Sequence, residues 1–584
     1  MKKTLFALAL LLFMGFISKA QEKYAVGLFH YNLQYVAGDY KIESRIIKQS
    51  VYPTLQFFEK NPQYKSDIEI QGYAIQVFAE EYPEVLTLLK KLVNRGQIEL
   101  VIAHYSDQFF IGYPAYDMQK SIEINDQILE KYGIKRSRVF FGQELQWTPA
   151  EASFLKGKYD LVVTSSDPHS YYRDRTLPLV NVHYGNDQIM GLIDGEKNLN
   201  GLTWAYAFLD DGEVFNTLDY NSDFYPVPAQ LKTNVDNYKK LLSEGYKFVT
   251  ISELASKIKN LKGYKIPDYP FVPEGTWNMS VCGPFMWMGR QRSGVETDGI
   301  TRALSYQLRS VVLMVQRLVE YADSKGIDVS EQKKLLEEAW KHLLLSEVSD
   351  ASGWTPWLVE VQYTANEVAD ANMIIKQIMD KLKVVLPLDD KTYRVNTQSG
   401  KITPEVSENS NSGKTDYLPI PFAIRAEEAT TSVKKINENL YRLDIKCKRP
   451  ADGAVEITFD TPSSGLYYSA GAGEDIAVEI PTDLKHDPAF ALSNGFIYLN
   501  NGYSLVKDCS VEHLAATWKM KDQKLVFREE LNENNPEMNM RFYLVKGDKN
   551  KGLELGNELN TWPTFRISKK NNQLIYEKVM PESF

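Results

Sequence analysis

Two short stretches hold carboxylates where a reaction can use them. In Glu144-Leu-Gln-Trp-Thr-Pro149 a carboxylate and an indole follow the apolar run Val139-Phe-Phe141, and Pro149 suits the first turn of a helix. A βα barrel builds its chemistry at the C-terminal ends of its strands, so Glu144 stands where a nucleophile or base would stand. The same residue also suits a plainer duty, capping the next helix or pairing with a surface base. The second stretch, Phe208-Leu-Asp-Asp-Gly-Glu-Val-Phe215, sets Asp210, Asp211 and Glu213 almost side by side. Carboxylates this crowded raise the pKa of one member toward what a general acid needs near neutral pH. Asp-Gly between apolar runs is equally the signal of a β-hairpin. Facing one pocket, the two stretches would have the parts for glycoside hydrolysis with retention. There one carboxylate attacks the anomeric carbon and another, about 5 Å away, protonates the leaving oxygen.

The elements that must position them come in alternation. Residues 25–30, 98–103, 139–142, 160–164, 189–193 and 202–209 read as strands or extended runs. Residues 51–59, 86–93, 116–132, 149–155 and 235–242 have helical spacing, and Asn94-Arg-Gly96 ends one of those helices. Repeated βα units imply a parallel sheet, and over residues 21–262 they suggest a closed or nearly closed barrel. Three longer helical patterns follow, at 301–322, 330–345 and 360–382. Leu308, Val311, Val312, Val315, Leu318 and Val319 share one face, so residues 263–390 read as a helical bundle packed on the barrel. The polar stretch 391–416 reads as a linker, and the alternating segments of 417–584 as an all-β sandwich. The fold class is therefore α/β, with a bundle and a β-sandwich after the barrel.

The chain from about residue 24 to 357 resembles glycoside hydrolase family 57, whose members share a (β/α)7 barrel followed by a helical bundle. Glu144-Leu-Gln-Trp-Thr-Pro149 matches the family's nucleophile segment, and Asp210-Asp-Gly-Glu-Val-Phe215 its general-acid segment. Asn94-Arg-Gly-Gln-Ile-Glu-Leu100, Thr250-Ile-Ser-Glu253, Gly275-Thr-Trp277 and Ser349-Asp350 before Trp354 are similar to further family segments, in the same order. The resemblance implies Glu144 as nucleophile, Asp211 as acid/base and an α-linked substrate, α-glucan before α-galactoside, with transglycosylation as an alternative outcome. It implies a sugar subsite lined by Gln34, Trp147, Asp210, Glu213, Trp277, Asp350 and Trp354, while His30 and His104 can line the same mouth or equally serve as core residues; an indole offers the apolar face of a sugar ring a stacking surface, as Trp287 also can, or simply packs. The family's opening His-Gln-Pro is changed here: in His30-Tyr-Asn-Leu-Gln-Tyr35, Gln34 keeps the amide while Leu33 and Tyr35 replace the flanking residues. That departure favours a rival reading, a barrel that binds glycan and no longer turns it over.

Composition narrows the remaining classes. The net charge of −9 offers no basic stripe to nucleic acid. The seven histidines include no pair at helical ligand spacing and there is no close cysteine pair, so no metal is expected, against a zinc mannosidase or a metal-dependent deacetylase. Gly283 to Gly289 lacks a phosphate-cradling arrangement, so no cofactor is expected either. Lys2 and Lys3 before an apolar run, with Ser18-Lys-Ala20 before Gln21, read as a signal peptide over residues 1–20 and a periplasmic or secreted protein, without later membrane insertion. Cys447 and Cys509 can form a bridge or stay as buried thiols. An oligo- or polysaccharide is the expected partner, and the oligomeric state stays open.

Overall fold

The computed structural model describes residues 22–581, apart from 102–103, 174–176, 196, 216–227, 278, 280–297, 352–357, 390, 406–412, 415–416, 463, 491–493, 512–516, 532–535 and 571–572. The expected signal segment, Cys282, Trp287 and Trp354 lie outside the described residues.

The N-terminal half is built on β1 (Glu22–Tyr31), β2 (Ser66–Ile70), β3 (Ile98–Val101), β4 (Val139–Phe141), β5 (Leu161–Ser165), β6 (Leu179–Tyr184), β7 (Asp187–Asp194), β8 (Asn198–Leu199), β9 (Leu202–Asp211) and β10 (Lys247–Phe248). β9, β1, β2 and β3 run parallel in that order, with β10 also parallel to β1. β4, β5 and β7 form a second parallel set, edged by antiparallel β6. The Ser137 amide donates to the Leu100 carbonyl at 2.8 Å and ties the two sets together where β3 meets β4. Both faces of these strands are covered, which explains their nearly continuous apolar runs. Tyr24, Val26, Leu28, Val101, Val139, Phe141, Leu161, Val163, Leu192, Leu202 and Trp204 meet in one inner cluster. Alternate residues such as Phe29, Ile68, Ile70, Leu100 and Phe208 face an outer layer of helices.

One irregularity in β9 matters for the site. The pairing of β1 with β9 shifts between Val26 and Gly27, so that Val26 faces Tyr206 but Gly27 faces Phe208. The bulge reverses the in-and-out order: Leu202 and Trp204 point inward before it, Leu209 packs on the inner cluster after it, and Phe208 is in the outer core. Asp211 is thereby brought to the inner face.

The helices include α1 (Gly72–Glu81), α2 (Pro83–Asn94), α3 (Ala115–Tyr132) and α4 (Ile251–Lys259). Thr250 and Glu253 close a capping box at the start of α4, which accounts for Thr250-Ile-Ser-Glu253 by helix initiation. The three long helices are α5 (Asp298–Ser324), α6 (Ser330–Ser346) and α7 (Leu358–Val385). The expected apolar face of α5 joins the outer core of the parallel sheet, Val311 at its margin.

A buried ion pair pins this junction. Arg309 on α5 donates from Nε and Nη2 to the two oxygens of Asp117 on α3 at 2.7 and 2.8 Å, and from Nη1 to the carbonyls of Asn560 and Thr561 at 2.8 Å each. Both charged side chains are wholly buried. Removing one partner strands the other charge, so Asp117→Ala is expected to cost about 3–5 kcal/mol in chemical denaturation.

The C-terminal part corrects one expectation and decides between two alternatives left open. Residues 391–416 do not act as a linker throughout: β11 (Thr392–Asn396) and β12 (Ile402–Pro404) pair with each other, and β11 pairs with the strand Thr564–Lys570 in a four-stranded sheet. Polar composition concealed them because their exposed edge needs few apolar residues. Cys447 and Cys509 are buried free thiols. The rest is antiparallel: an eight-stranded sheet and a five-stranded sheet share one core, where Phe542 packs on Phe459 and Phe527 with ring centroids 5.6 and 5.1 Å apart. The same core continues into Phe110, Trp147, Val180 and Tyr184 of the parallel-sheet region. A loop of the β region lies beneath the Glu144 stretch, with the Thr148 hydroxyl donating to the Gly471 carbonyl at 2.8 Å and the Gly471 amide to Glu274 at 2.6 Å. Among the described residues no helix is long and apolar enough to cross a membrane.

Candidate active site

β4 ends at Phe141, and the chain then turns sharply. Glu144 has φ 58° and ψ 24°, and Leu145 follows with φ 48°. Two successive non-glycine residues in the left-handed region cost on the order of 1–3 kcal/mol each, so the surroundings must impose them. Gln146 does part of this: its side chain accepts from the Ile111 amide at 3.2 Å and donates to the Gln108 carbonyl at 3.1 Å. Trp147 does the rest through a two-way backbone bridge with Gly275, at 2.8 and 3.1 Å. Gly275 has no room for a side chain, since an added Cβ would lie 2.7 Å from the Met279 sulfur and 2.8 Å from Pro168.

That bridge puts Trp277 over Glu144. The indole Nε1 donates to Glu144 Oε2 at 2.5 Å while the ring stays 39% exposed, so it can hold the carboxylate and still offer a face to a ligand. Gln143 donates to the other oxygen at 3.2 Å. Trp277→Phe keeps the face and loses the donor; kcat/KM is expected to fall by about ten-fold to a hundred-fold, the worth of a hydrogen bond to a charged group.

Across the pocket, the ends of β9, β1 and β2 align in one row: Asp211 is opposite His30, and His30 opposite Glu69. His30 Nδ1 and Glu69 Oε2 are 2.5 Å apart. Burial works against a charged His30, but Glu69 outweighs it and raises the imidazole pKa well above its usual value, so His30 is cationic. Asp211 is succeeded by a 3-10 turn, Gly212–Phe215, and the stretch is therefore no hairpin. Glu213 is buried and accepts the Asn32 amide. Asn32 in turn donates from Nδ2 to Asp350 at 2.5 Å, which brings Ser349-Asp350, beyond α6, to the ends of these strands.

Glu144, Asp211 and Asp350 form one electrostatic unit. Burial pushes Glu144 up to about 8, helped by the charges of Asp350 and Asp211 and opposed by the Trp277 hydrogen bond and His30. Burial and Asp211 raise Asp350 to about 7. Burial raises Asp211 to about 6, with His30 holding it down and Asp210 pushing it up. Such a pocket shares protons among its carboxyls at neutral pH.

The other expected site residues divide. His30, Glu213, Trp277 and Asp350 belong to this unit. Trp147 does not: it is 1% exposed, packs on His169 at 4.6 Å and gives its N–H to the Val272 carbonyl, because the left-handed turn sends it beneath the pocket. Asp210 is exposed on the alternate side of β9, where its carboxylate accepts the Asp211 amide at 2.9 Å. Gln34 is buried and gives its amide to the Tyr363 hydroxyl on α7 at 2.8 Å. His104 is fully buried behind the row, and that burial lowers its pKa, leaving it neutral beside Glu69 and His30.

Four participants were not expected. Tyr35 is half-buried at the point where Asp211, Glu213, Asp350 and Glu144 all act on it; its pKa is raised, by burial first, and the phenol is a neutral donor to the pocket. Asn32 connects Glu213 and Asp350. Glu69 and Asp107 bring donor atoms within 4.8 Å of one from His30, a grouping able to hold a cation, at odds with the expectation of no metal. Helical spacing could not reveal that set, whose members come from the ends of β1 and β2 and from the loop after β3. The available signal was Ser66-Asp-Ile-Glu-Ile70, where Asp67 and Glu69 occupy alternate positions of a strand buried on both faces.

Known proteins agree with this architecture. Over nearly its whole length the chain has the fold of an α-mannosidase from Enterococcus faecalis, with TM-score 0.63 and 9% identity over 96% of this chain and 91% of that one. A second Enterococcus faecalis structure, of a glycosyl hydrolase family 38 protein, gives TM-score 0.55 at 9% identity, covering 95% and 90%. In sequence, an α-amylase of Pyrococcus abyssi is 28% identical over 187 residues, and a 4-α-glucanotransferase of Thermococcus litoralis 27% identical over 198 residues. Those alignments take in 32% and 34% of this chain but only 25% and 27% of the relatives. Residues 17–188, which hold β1 to β6 and the strained Glu144, match the model of glycosyl hydrolase family 57. Through that region the chain is similar to glycosyl hydrolase family 57.

Proposed function

We propose that the chain is an exported retaining glycoside hydrolase or glycosyl transferase acting on α-linked glucans. The observation that carries the reading is the pairing of a strained, indole-held Glu144 with Asp211 in one buried pocket. The parallel strands around that pocket are read as the family's (β/α)7-type barrel, with the bundle closing one side through Asp350. In the first step Glu144 attacks the anomeric carbon while the Asp211 proton passes to the leaving oxygen. In the second, Asp211 takes a proton from the incoming water or sugar hydroxyl, and the bond between the sugar and Glu144 breaks. Trp277 holds Glu144 and offers a stacking face, and Asp350 with Tyr35 is placed to meet sugar hydroxyls. The matched α-amylase and 4-α-glucanotransferase support an α-glucan as substrate. Export rests on the lysines and apolar run of residues 2–16.

Incubation of the purified protein with a panel of α- and β-linked oligosaccharides, with product anomers followed by NMR, tests this. Release or transfer of α-linked units with retained configuration is expected. The rival, a barrel that only binds glycan, draws on the replacement of the family's His-Gln-Pro by Leu33-Gln34-Tyr35. Saturable binding with no turnover on any member of the panel would establish it.

A further inference from the structure

We infer that His30, Glu69 and Asp107 form a binding site for a first-row divalent cation, zinc or manganese, behind the carboxylate pocket. One donor atom from each lies within 4.8 Å of the donors of the other two, and the side chains are 6%, 0% and 0% exposed. A tetrahedral cation with bonds of about 2.0–2.2 Å keeps its ligands about 3.3–3.6 Å apart. The cluster therefore needs to close by up to about 1.5 Å to hold one, which side-chain rotation alone can supply.

A second observation points to a ligand. Among the described residues, Glu69 Oε1 and Asp107 Oδ2 are buried and accept no hydrogen bond. Their companion oxygens are engaged: Glu69 Oε2 with His30 Nδ1 at 2.5 Å, and Asp107 Oδ1 with the Gln71 amide at 2.6 Å. Gln71 also donates to the Tyr31 carbonyl at 2.6 Å, so the Asp107 carboxylate is oriented from outside, as ligand carboxylates commonly are. Leaving a buried acceptor without a donor costs about 1–3 kcal/mol, and one cation bound by the two carboxylates of this cluster would satisfy both.

Charge favours the same occupant. Asp107, Glu144, Asp211, Glu213 and Asp350 all face His30 as their nearby opposing charge. Ligation displaces the proton that His30 carries, and a divalent ion in its place restores positive charge against those carboxyls. The donor set chooses among ions: an imidazole nitrogen with two carboxylates suits zinc or manganese, whereas calcium and magnesium take oxygen ligands. The ion would sit one strand away from Asp211 without touching the reacting sugar, and its presence does not depend on which glycan is used.

Full-length protein stripped with a chelator, incubated with Zn2+ or Mn2+ and desalted is expected to retain one equivalent, measured by elemental mass spectrometry, and to melt higher than the stripped form. Asp107→Asn and Glu69→Gln, checked for folding by far-UV circular dichroism, are expected to bind about 100-fold more weakly or worse, since even supporting residues cost 10–100-fold. Co2+-loaded wild type is expected to give a visible absorption band of a low-coordinate nitrogen and oxygen site, a readout independent of variants and of turnover. Retention of neither metal overturns the inference. So does equal affinity in the folded variants, or a cobalt spectrum no different from that of the hydrated ion.

Discussion

Glu144→Ala and Asp211→Ala are each expected to lower kcat by at least about 10^3-fold, since either change removes a group that makes or breaks a bond in the transition state. The two losses differ in character. An added small anion such as azide can enter the space left by the missing carboxylate. With Glu144→Ala it attacks the anomeric carbon directly and gives a glycosyl azide of inverted configuration. With Asp211→Ala the sugar is already bonded to Glu144, and the azide product is retained. Azide products of the opposite configurations would exchange the two roles; no rescue in either variant, together with unchanged ligand binding, would favour the barrel that only binds. The isosteric Glu144→Gln and Asp211→Asn check that the loss is chemical: both should still be protected from thermal unfolding by substrate.

The second large effect is a bell-shaped pH profile. Burial with the charges of Asp350 and Asp211 puts Glu144 near 8, and burial with Asp210 against His30 puts Asp211 near 6, so the two groups hold a single proton between those values. Turnover needs Glu144 ionised and Asp211 protonated. Activity should therefore rise through about 6, peak near 7 and fall through about 8, whichever member carries the proton at rest. In the empty pocket the order is the reverse of what the reaction needs, and a 2-unit inversion leaves about one molecule in 100 in the productive state. Substrate binding that brings an oxygen to Asp211 and shields Asp350 from Glu144 would correct the order, so the kcat profile is expected to differ from that of kcat/KM. A flat profile between pH 5 and 9 would exclude shared protonation of these two groups.

The same shifts act on stability, with a definite sign. Both folded pKa values lie above the ordinary carboxyl values, so the folded state binds more protons than the unfolded chain. Their contribution is fully present below the unfolded pKa and is lost as pH rises through about 6 and then about 8. The melting temperature should accordingly fall between pH 5 and 9, and Glu144→Gln, which cannot ionise, should flatten that fall.

How much of this was legible in the chain depends on the scale of the signal. The alternation of strands and helices was clear because both faces of the parallel strands are buried and the helices carry an apolar stripe. Glu144 was legible because a strand, a carboxylate and a proline-started helix follow one another in a few residues. The choice between Asp210 and Asp211 rested on a resemblance, because simple alternation from Leu202 and Trp204 would have pointed Asp210 inward; the bulge opposite Val26 and Gly27 reverses it. Trp147 lay inside the nucleophile motif and still proved to be packing, since two left-handed residues redirect the chain before it. Glu69 and Asp107 escaped notice because the first meets His30 through the register of β1 and β2, and the second through the path of the loop after β3.

The contact between Thr148 and Gly471 has a consequence for how the molecule can be altered. The β-rich half cannot be trimmed away or exchanged as an accessory, because its loop is the floor on which the Glu144 turn stands. A graft that replaced it would have to reproduce a glycine whose added Cβ would fall 2.8 Å from the Ile111 carbonyl.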